Sequence, residues 1–312
     1  MPTDAEDPAV PLQSTYRPRD ALNLFRTVGF LARGAKDPTT VVDGQTLWRA
    51  SRTPQGVTTL ALRQSTEGVH ATAWGPGAEW ALDQLPRLCG ADDDATGFDV
   101  SQHPTLAGLA RRHATTRLTR TDLVFDAFAS AVLEQKVTSL QAFGAWRALV
   151  SRFGERAPGP APRPLFAPPA VDGWRRIPSW AWHRAGVEPP QSRTIVHNAQ
   201  RGERLATAVL AADSPSARDR VLTSLPGIGA WTASETRIRA LGDPDAVSVG
   251  DYHLSHQVGF ALIGRRVDDD GMLELLEPWR GHRQRVIRLI LAGGAVEARR
   301  GPRLAPEDHR RR

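Results

Sequence analysis

Residues 214–256 read SPSARDRVLTSLPGIGAWTASETRIRALGDPDAVSVGDYHLSH, and the fold turns on this stretch. Ser214 is a favourable N-cap with Pro215 at the first helical position, and Val221, Leu222 and Leu225 form an apolar stripe behind it. Pro226 stops this helix, Gly227 and Gly229 open backbone angles closed to other residues, and Ile228 can plug the core between two helices. A second helix begins at Ala230. Its first amides lack internal partners and lie beside glycines, so a phosphate can approach the backbone, although many helical proteins use the same turn as a plain connection. After that helix, Gly242 to Asp245 form a turn, Ala246 to Val249 a short extended run, and Gly250-Asp251 open the next helix. Asp251 sits where the helix dipole and free amides favour a carboxylate, and where most Asp residues only cap.

Outward from this stretch, nearly everything beyond residue 100 carries a helical period: 105–113, 122–135, 137–153, 191–210, 215–225, 230–241, 252–263, 272–277 and 279–297. The last of these alternates Arg280, Arg283, Arg285 and Arg288 with Val286, Ile287, Ile290 and Leu291, which suits a basic backbone-binding face or an ordinary amphipathic surface helix. Trp174, Trp180 and Trp182 cluster between helices, a pattern of packing more than of base stacking. Residues 157–171 are proline-rich and read as a surface loop. Before residue 100, short alternating runs after Asp43-Gly44, Pro54-Gln55-Gly56 and Glu67-Gly68 predict an antiparallel sheet, with a helix over 78–88 packed on it. Residues 1–18 read as a loose arm and 301–312 as a basic tail. The fold class is therefore α+β: a small N-terminal sheet-plus-helix domain, 19–100, followed by an all-α domain, 101–300.

The 312 residues suffice for about two domains. With 40 basic and 34 acidic residues the net charge is +6, and all the basic residues but Lys36 and Lys136 are arginine. Arginine forks suit phosphate, so the charge admits a nucleic-acid partner, although such usage also follows from a GC-rich genome. The single cysteine, Cys89, excludes an iron–sulfur cluster and a cysteine-based zinc site, and reads as a small buried hydrophobe. His253 and His256 lack zinc-ligand spacing. No apolar stretch approaches the ~20 residues of a membrane span, and the first residues lack the pattern of a signal peptide, so a cytoplasmic, nucleoid-associated protein with no membrane partner is expected.

LPGIGAWTA followed by VGDYHL resembles the helix-hairpin-helix, Gly/Pro-rich loop and Asp signature of a DNA glycosylase superfamily, most nearly its alkyladenine branch, the 3-methyladenine DNA glycosylase II enzymes. FDAFASAVLEQKV at 125–137, FGER at 153–156 and EPWRGHR at 277–283 are similar to other family segments in order, so the resemblance spans about residues 20 to 300. It implies a monomer acting on double-stranded DNA that contains damaged bases, with an alkylated purine as the default substrate. It implies Asp251 as the catalytic carboxylate. The clamp on DNA would comprise Leu225, Gly227, Ile228, Gly229, Ala230 and Thr232, with Gln135 and Lys136 near the wedge that fills the vacated stack. The base pocket would comprise Trp231, Glu235, Arg288, Leu289 and Tyr252. Of the aligned pocket positions that are aromatic in the branch, only Trp231 remains so; Glu235 could read a base edge and Arg288 could pair with it. In the lyase branch a Lys stands at the position of Trp231, so a monofunctional hydrolase is implied, with no cofactor beyond a possible monovalent ion at hairpin carbonyls. Two alternatives are a related glycosylase for a deaminated or bulky lesion and a non-catalytic binder of distorted DNA.

Overall fold

The computed structural model describes residues 10–294. Five strands, β1 (Leu12–Tyr16), β2 (Thr40–Asp43), β3 (Thr46–Thr53), β4 (Gly56–Gln64) and β5 (Val69–Trp74), form one antiparallel sheet in the order β1-β5-β4-β3-β2. Alternation places Leu47, Leu60, Leu62, Val69, Ala71 and Ala73 on one face, where they meet Leu24 and Val28 of the helix α1 (Leu24–Val28). The helices α2 (Ala78–Asp83) and α3 (Leu85–Leu88) close this core, Pro86 starting the second of them. Cys89 is buried within it, and burial pushes its thiol up to about 12.

The helical part comprises α4 (Pro104–Arg112), α5 (Val124–Leu133), α6 (Ser139–Phe153), α7 (Val171–Arg176), α8 (Ser179–Arg184), α9 (Pro189–Ala199), α10 (Gly202–Ala211), α11 (Pro215–Thr223), α12 (Ala230–Leu241), α13 (Leu254–Ile263), α14 (Asp269–Leu276) and α15 (Arg283–Gly293). It holds two cores. The larger packs α5, α6 and α7 to α12 around Phe128, Trp146, Trp174 and Ile195, with Trp174 stacked on Trp182 at 5.9 Å, so these indoles pack the interior. Trp180 alone of the cluster faces solvent, flanked by Arg152 and Arg184. The second core joins Leu106 and Leu109 of α4 to Val258, Met272, Val286 and Ile290 from the C-terminal helices.

Several expectations are corrected. Residues 12–16 are no arm: Leu12 to Tyr16 pair with Ala73 to Val69, and because this edge strand is largely exposed it has no alternating pattern to betray it. The remainder of the arm, 1–9, and the tail, 301–312, lie outside the described residues. The domain beyond residue 100 is not purely helical, since β6 (Glu155–Arg156) and β7 (Phe166–Ala167) pair as a second small sheet. The proline-rich segment between them is a loop exposed at Gly159, Pro160, Pro162 and Pro164, but its ends are packed. Ala157, Leu165 and Ala167 are buried against Ala50 and Val57, and Arg163 donates to the carbonyls of Asp37 (2.5 Å) and Thr40 (2.9 Å), fastening the helical part to the N-terminal sheet. The long helix expected over 191–210 is also divided, α9 ending before Gly202, whose Cβ position is filled by Val171 and Phe125.

Candidate active site and nucleic-acid interface

Ser214 caps α11 through Ala217 N at 3.2 Å, with Pro215 at its first turn. The chain reverses over Leu225–Gly229 and enters α12 at Ala230. Ile228 is buried in the main core, Leu225 packs half-buried against it, and the Ile228 amide donates to the Leu225 carbonyl (3.2 Å), so both residues anchor the hairpin from within. Gly227 has φ +81°, and a Cβ there would run into the Thr194 hydroxyl. Gly229 differs from its expectation: its φ of −101° is open to any residue, and nothing stands within 4 Å of where its Cβ would be. What the glycine provides is bare approach. Gly227, Gly229 and Ala230 are exposed, and among the described residues their amides donate to no carbonyl.

Gln135 and Thr232 hold this hairpin together. Gln135 Nε2 donates to the Gly227 carbonyl (3.1 Å) and to Thr232 Oγ1 (2.9 Å), while Gln191 Nε2 holds the Gln135 carbonyl at 2.9 Å and Asn198 Nδ2 holds that of Pro226 at 3.2 Å. Thr232 is buried and braces the clamp, and the Gln135 amide nitrogen serves the same task. Lys136 is the exposed member of the pair, at φ +55°, a left-handed turn that throws it outward from the end of α5. The carbonyls of Leu225, Pro226, Gly227 and Gly229 accept from Ile228 N, Asn198, Gln135 and Ala233 N, each keeping a second lone pair.

Asp251 stands half-buried opposite this hairpin. Its Oδ1 accepts from the amides of His253 (2.9 Å) and Leu254 (3.0 Å) at the start of α13, and its Oδ2 accepts from Trp231 Nε1 (3.2 Å). The carboxylate is thus a helix cap and is also aimed by an indole from the hairpin helix. Gly250, at φ +89°, turns the chain into this cap, and its amide donates to Asp269 Oδ2 at 2.9 Å.

From Trp231 the face of α12 continues through Glu235 and Arg239, each one turn on. Glu235 pairs with Arg239 and accepts from Ser248 Oγ at 2.5 Å, and the Ser248 carbonyl in turn accepts from Asp251 N at 3.2 Å. The sequence offered Glu235 as a partner for Arg288; Arg239 takes it instead, because an i, i+4 neighbour on one helix needs no other element to bring it there. Glu134, the last residue before Gln135, lies 3.8 Å from Arg239 and 3.9 Å from Arg33. Burial raises its carboxyl, opposed by those two guanidiniums and reinforced by the carboxylates of Glu235 and Asp251. Arg33 also reaches Ser130, and burial lowers it to about 10.

Arg288 lies with Cζ 3.7 Å from the centre of the Phe30 ring, which Arg239 approaches to 5.3 Å from its own side. Leu289 is a buried member of the C-terminal core and Tyr252 is 75% exposed, stacked edge-on against His253. The wall residues that sequence reading passed over, Phe30, Arg33 and Glu134, come from distant parts of the chain; only Arg239 had a local signal, its position four residues after Glu235. Of the arginines that suited either a basic face or an ordinary amphipathic surface helix, three are ion-paired within the protein. Arg283 is clamped by Asp245 (2.6 Å), Arg285 by buried Asp93 (2.7 Å) and Arg280 by Glu277 (2.7 Å).

No helix among the described residues is long and apolar enough to cross a membrane. Neither protein-family models nor curated proteins match the sequence. Solved structures do. A 3-methyladenine DNA-glycosylase from Archaeoglobus fulgidus superposes with a TM-score of 0.72 at 17% identity, covering 90% of this chain and 97% of that one. The 8-oxoguanine glycosylase/lyase of Clostridium acetobutylicum, solved with double-stranded DNA, superposes with a TM-score of 0.67 at 11% identity, covering 88% and 93%. At such identities the likeness is one of architecture, and it extends over sheet, hairpin and C-terminal helices together: this chain has the fold of the helix-hairpin-helix DNA glycosylases.

Proposed function

We propose that the protein is a monofunctional DNA glycosylase, which draws a damaged base out of duplex DNA and hydrolyses its N-glycosidic bond. The observation that carries this reading is the pairing of an exposed, donor-rich hairpin with a carboxylate aimed from the opposite side. The free amides of Gly227, Gly229 and Ala230 can hold one strand's phosphates, and Lys136 adds a cation beside them. A base is out of reach inside the stack, so the nucleotide must swing toward the cleft between these elements.

Breaking the bond between C1′ and the base nitrogen leaves positive charge on the sugar. Asp251, fixed by two amides and the Trp231 indole, supplies a preorganised negative charge to that centre and can take the proton of the attacking water. Trp231 has no amine with which to form a Schiff base, which supports hydrolysis without strand scission. The alkylated-purine default rests on aromatic pocket walls, and in this cleft charged side chains stand beside Trp231 and Phe30.

The test is base release from a panel of duplexes carrying methylated purines, hypoxanthine, uracil, 8-oxoguanine and bulky adducts, with abasic sites resolved from nicks and borohydride trapping run alongside. Release by the wild type, lost in Asp251→Asn, without nicks or trapped adducts, is the expected result. Tight binding to distorted DNA with no base released would favour the non-catalytic binder; trapped adducts would refute the monofunctional assignment.

A further inference from the structure

The turn that carries Asp251 is pinned to one face of α12. Trp231, Ser234 and Glu235 stand at i, i+3 and i+4 on that helix, so their side chains leave it on the same side. Each holds a different point of the segment that follows. Ser234 Oγ donates to the Val247 carbonyl (2.9 Å), Ser248 Oγ donates to Glu235 Oε1 (2.5 Å), and Trp231 Nε1 donates to Asp251 Oδ2 (3.2 Å). Ser248 opens the turn and Asp251 closes it: the Asp251 amide donates to the Ser248 carbonyl at 3.2 Å, with Gly250 at φ +89° in the third position of the reversal. Ser248 is thus fastened at both its hydroxyl and its carbonyl, by Glu235 on one side and by Asp251 on the other.

Glu235 is itself held firmly. Its second oxygen is paired with Arg239 one turn on, and Glu134 stands 3.8 Å from the same guanidinium. Burial works against the charge of Arg239, but Glu235 and Glu134 raise it above the ordinary guanidinium value. Ser248 is buried, so its bond to the Glu235 carboxylate is charge-assisted and shielded from water. Asp245 and Asp269 brace the flanks of the segment, through Arg283 and through the Gly250 amide. The bond from Ser248 to Glu235 lies between those braces, at the residue whose carbonyl holds the Asp251 amide.

We propose, resting on the glycosylase reading, that Glu235 is a positioning residue, which acts through Ser248 to set where the Asp251 carboxylate stands against the sugar. Both of its oxygens have protein partners, and the one bonded to Ser248 governs the peptide on which the Asp251 turn closes. Without that bond the Ser248 peptide is free to rock, the Asp251 amide follows it, and the carboxylate no longer occupies a single place. Such a displacement is felt in the chemical step, which depends on the geometry of near contact. It leaves the grip on phosphate alone, because the hairpin is braced separately by Gln135 and Thr232.

Ser248→Ala removes the bond and leaves the pair of Glu235 with Arg239 in place. Single-turnover release, from whichever lesion of the panel the wild type accepts, should fall about tenfold in this variant, with affinity for an abasic duplex unchanged. Glu235→Gln should also slow release, and the double variant Glu235→Gln/Ser248→Ala should be no slower than the slower of the two, since both act along one chain of contacts. A second readout needs no turnover: the indole N–H resonance of Trp231, identified by its loss in Trp231→Phe, reports the bond to Asp251. It should move in Ser248→Ala while the indole signals of Trp174 and Trp182 in the main core stay in place, a pattern that general loosening would not produce. An unmoved Trp231 resonance, a wild-type release rate in Ser248→Ala or additive losses in the double variant would each overturn the inference and leave the glycosylase reading standing. If the wild type releases no base from any duplex of the panel, that reading falls and the Trp231 resonance decides alone: movement upholds the hold on Asp251 through Ser248, and its absence overturns it.

Discussion

Trp231 Nε1 donates to Asp251 Oδ2 across 3.2 Å, so the residue that opens the hairpin helix aims the carboxylate twenty positions later. Trp231→Phe keeps the ring and removes the donor. Base release by this variant should fall about tenfold, in line with one lost hydrogen bond to a charged group, with the melting temperature little changed. Rates equal to wild type would show that the two backbone amides suffice to orient Asp251.

The two hairpin glycines should separate stability from binding. Gly227→Ala places a side chain at φ +81° against Thr194 and should cost about 1–3 kcal/mol, seen as a lower melting temperature. Gly229→Ala meets open space and an ordinary φ, so the protein should melt as wild type does. Its methyl group would nonetheless stand over the exposed amides, and affinity for an abasic duplex should fall. Equal melting temperatures for the two variants would contradict this division.

Asp93 and Arg285 are both nearly inaccessible, and their pair joins the end of the N-terminal domain to the last helix. Asp93→Ala leaves a buried guanidinium with the Asp94 carbonyl, His282 and the Phe98 ring beside it and no carboxylate. The expected loss is about 3–5 kcal/mol, measured by denaturant unfolding; a loss below 1 kcal/mol would mean that solvent reaches the pair.

Asp126 faces a cavity shared with Arg33, Arg49 and Arg239 and has no hydrogen-bond partner among the described residues. Burial raises its carboxyl to about 7, against the pull of Arg49, Arg52 and Arg33. The folded value lies above the unfolded one, so the stabilisation is complete at low pH and is lost as pH climbs from about 4 through 7. Asp126→Asn should flatten that decline and be more stable than wild type at pH 8, by about 1–3 kcal/mol. Parallel stability profiles for the two proteins would refute this.

Local rules made much of this legible. Ser214, Pro226 and Gly242 mark helix ends through their own backbone chemistry, and period-two alternation marks β3 to β5. Trp231 and Asp251 were assigned to one site by the resemblance of LPGIGAWTA and VGDYHL to a known signature, and the hydrogen bond between them joins the two segments. What escaped depends on partners distant in the chain. β1 is a strand only because β5 offers it an edge, and the proline-rich segment is ordered by Arg163 reaching carbonyls more than a hundred residues earlier. The cleft walls behave likewise: Phe30 and Glu134 meet Arg288 and Arg239 only after the N-terminal sheet has docked, and no spacing rule links them.

The packing of α4 against α15 carries a consequence for biogenesis. Leu106 and Leu109 emerge from the ribosome well over a hundred residues ahead of Val286 and Ile290, the side chains that cover them. Until translation nears its end, that greasy stripe waits uncovered, and the turn ahead of Asp251 lacks the Arg283 clamp on Asp245 that braces it. A nascent or prematurely terminated chain therefore keeps this apolar stripe bare and the turn ahead of Asp251 unbraced until synthesis has passed α15.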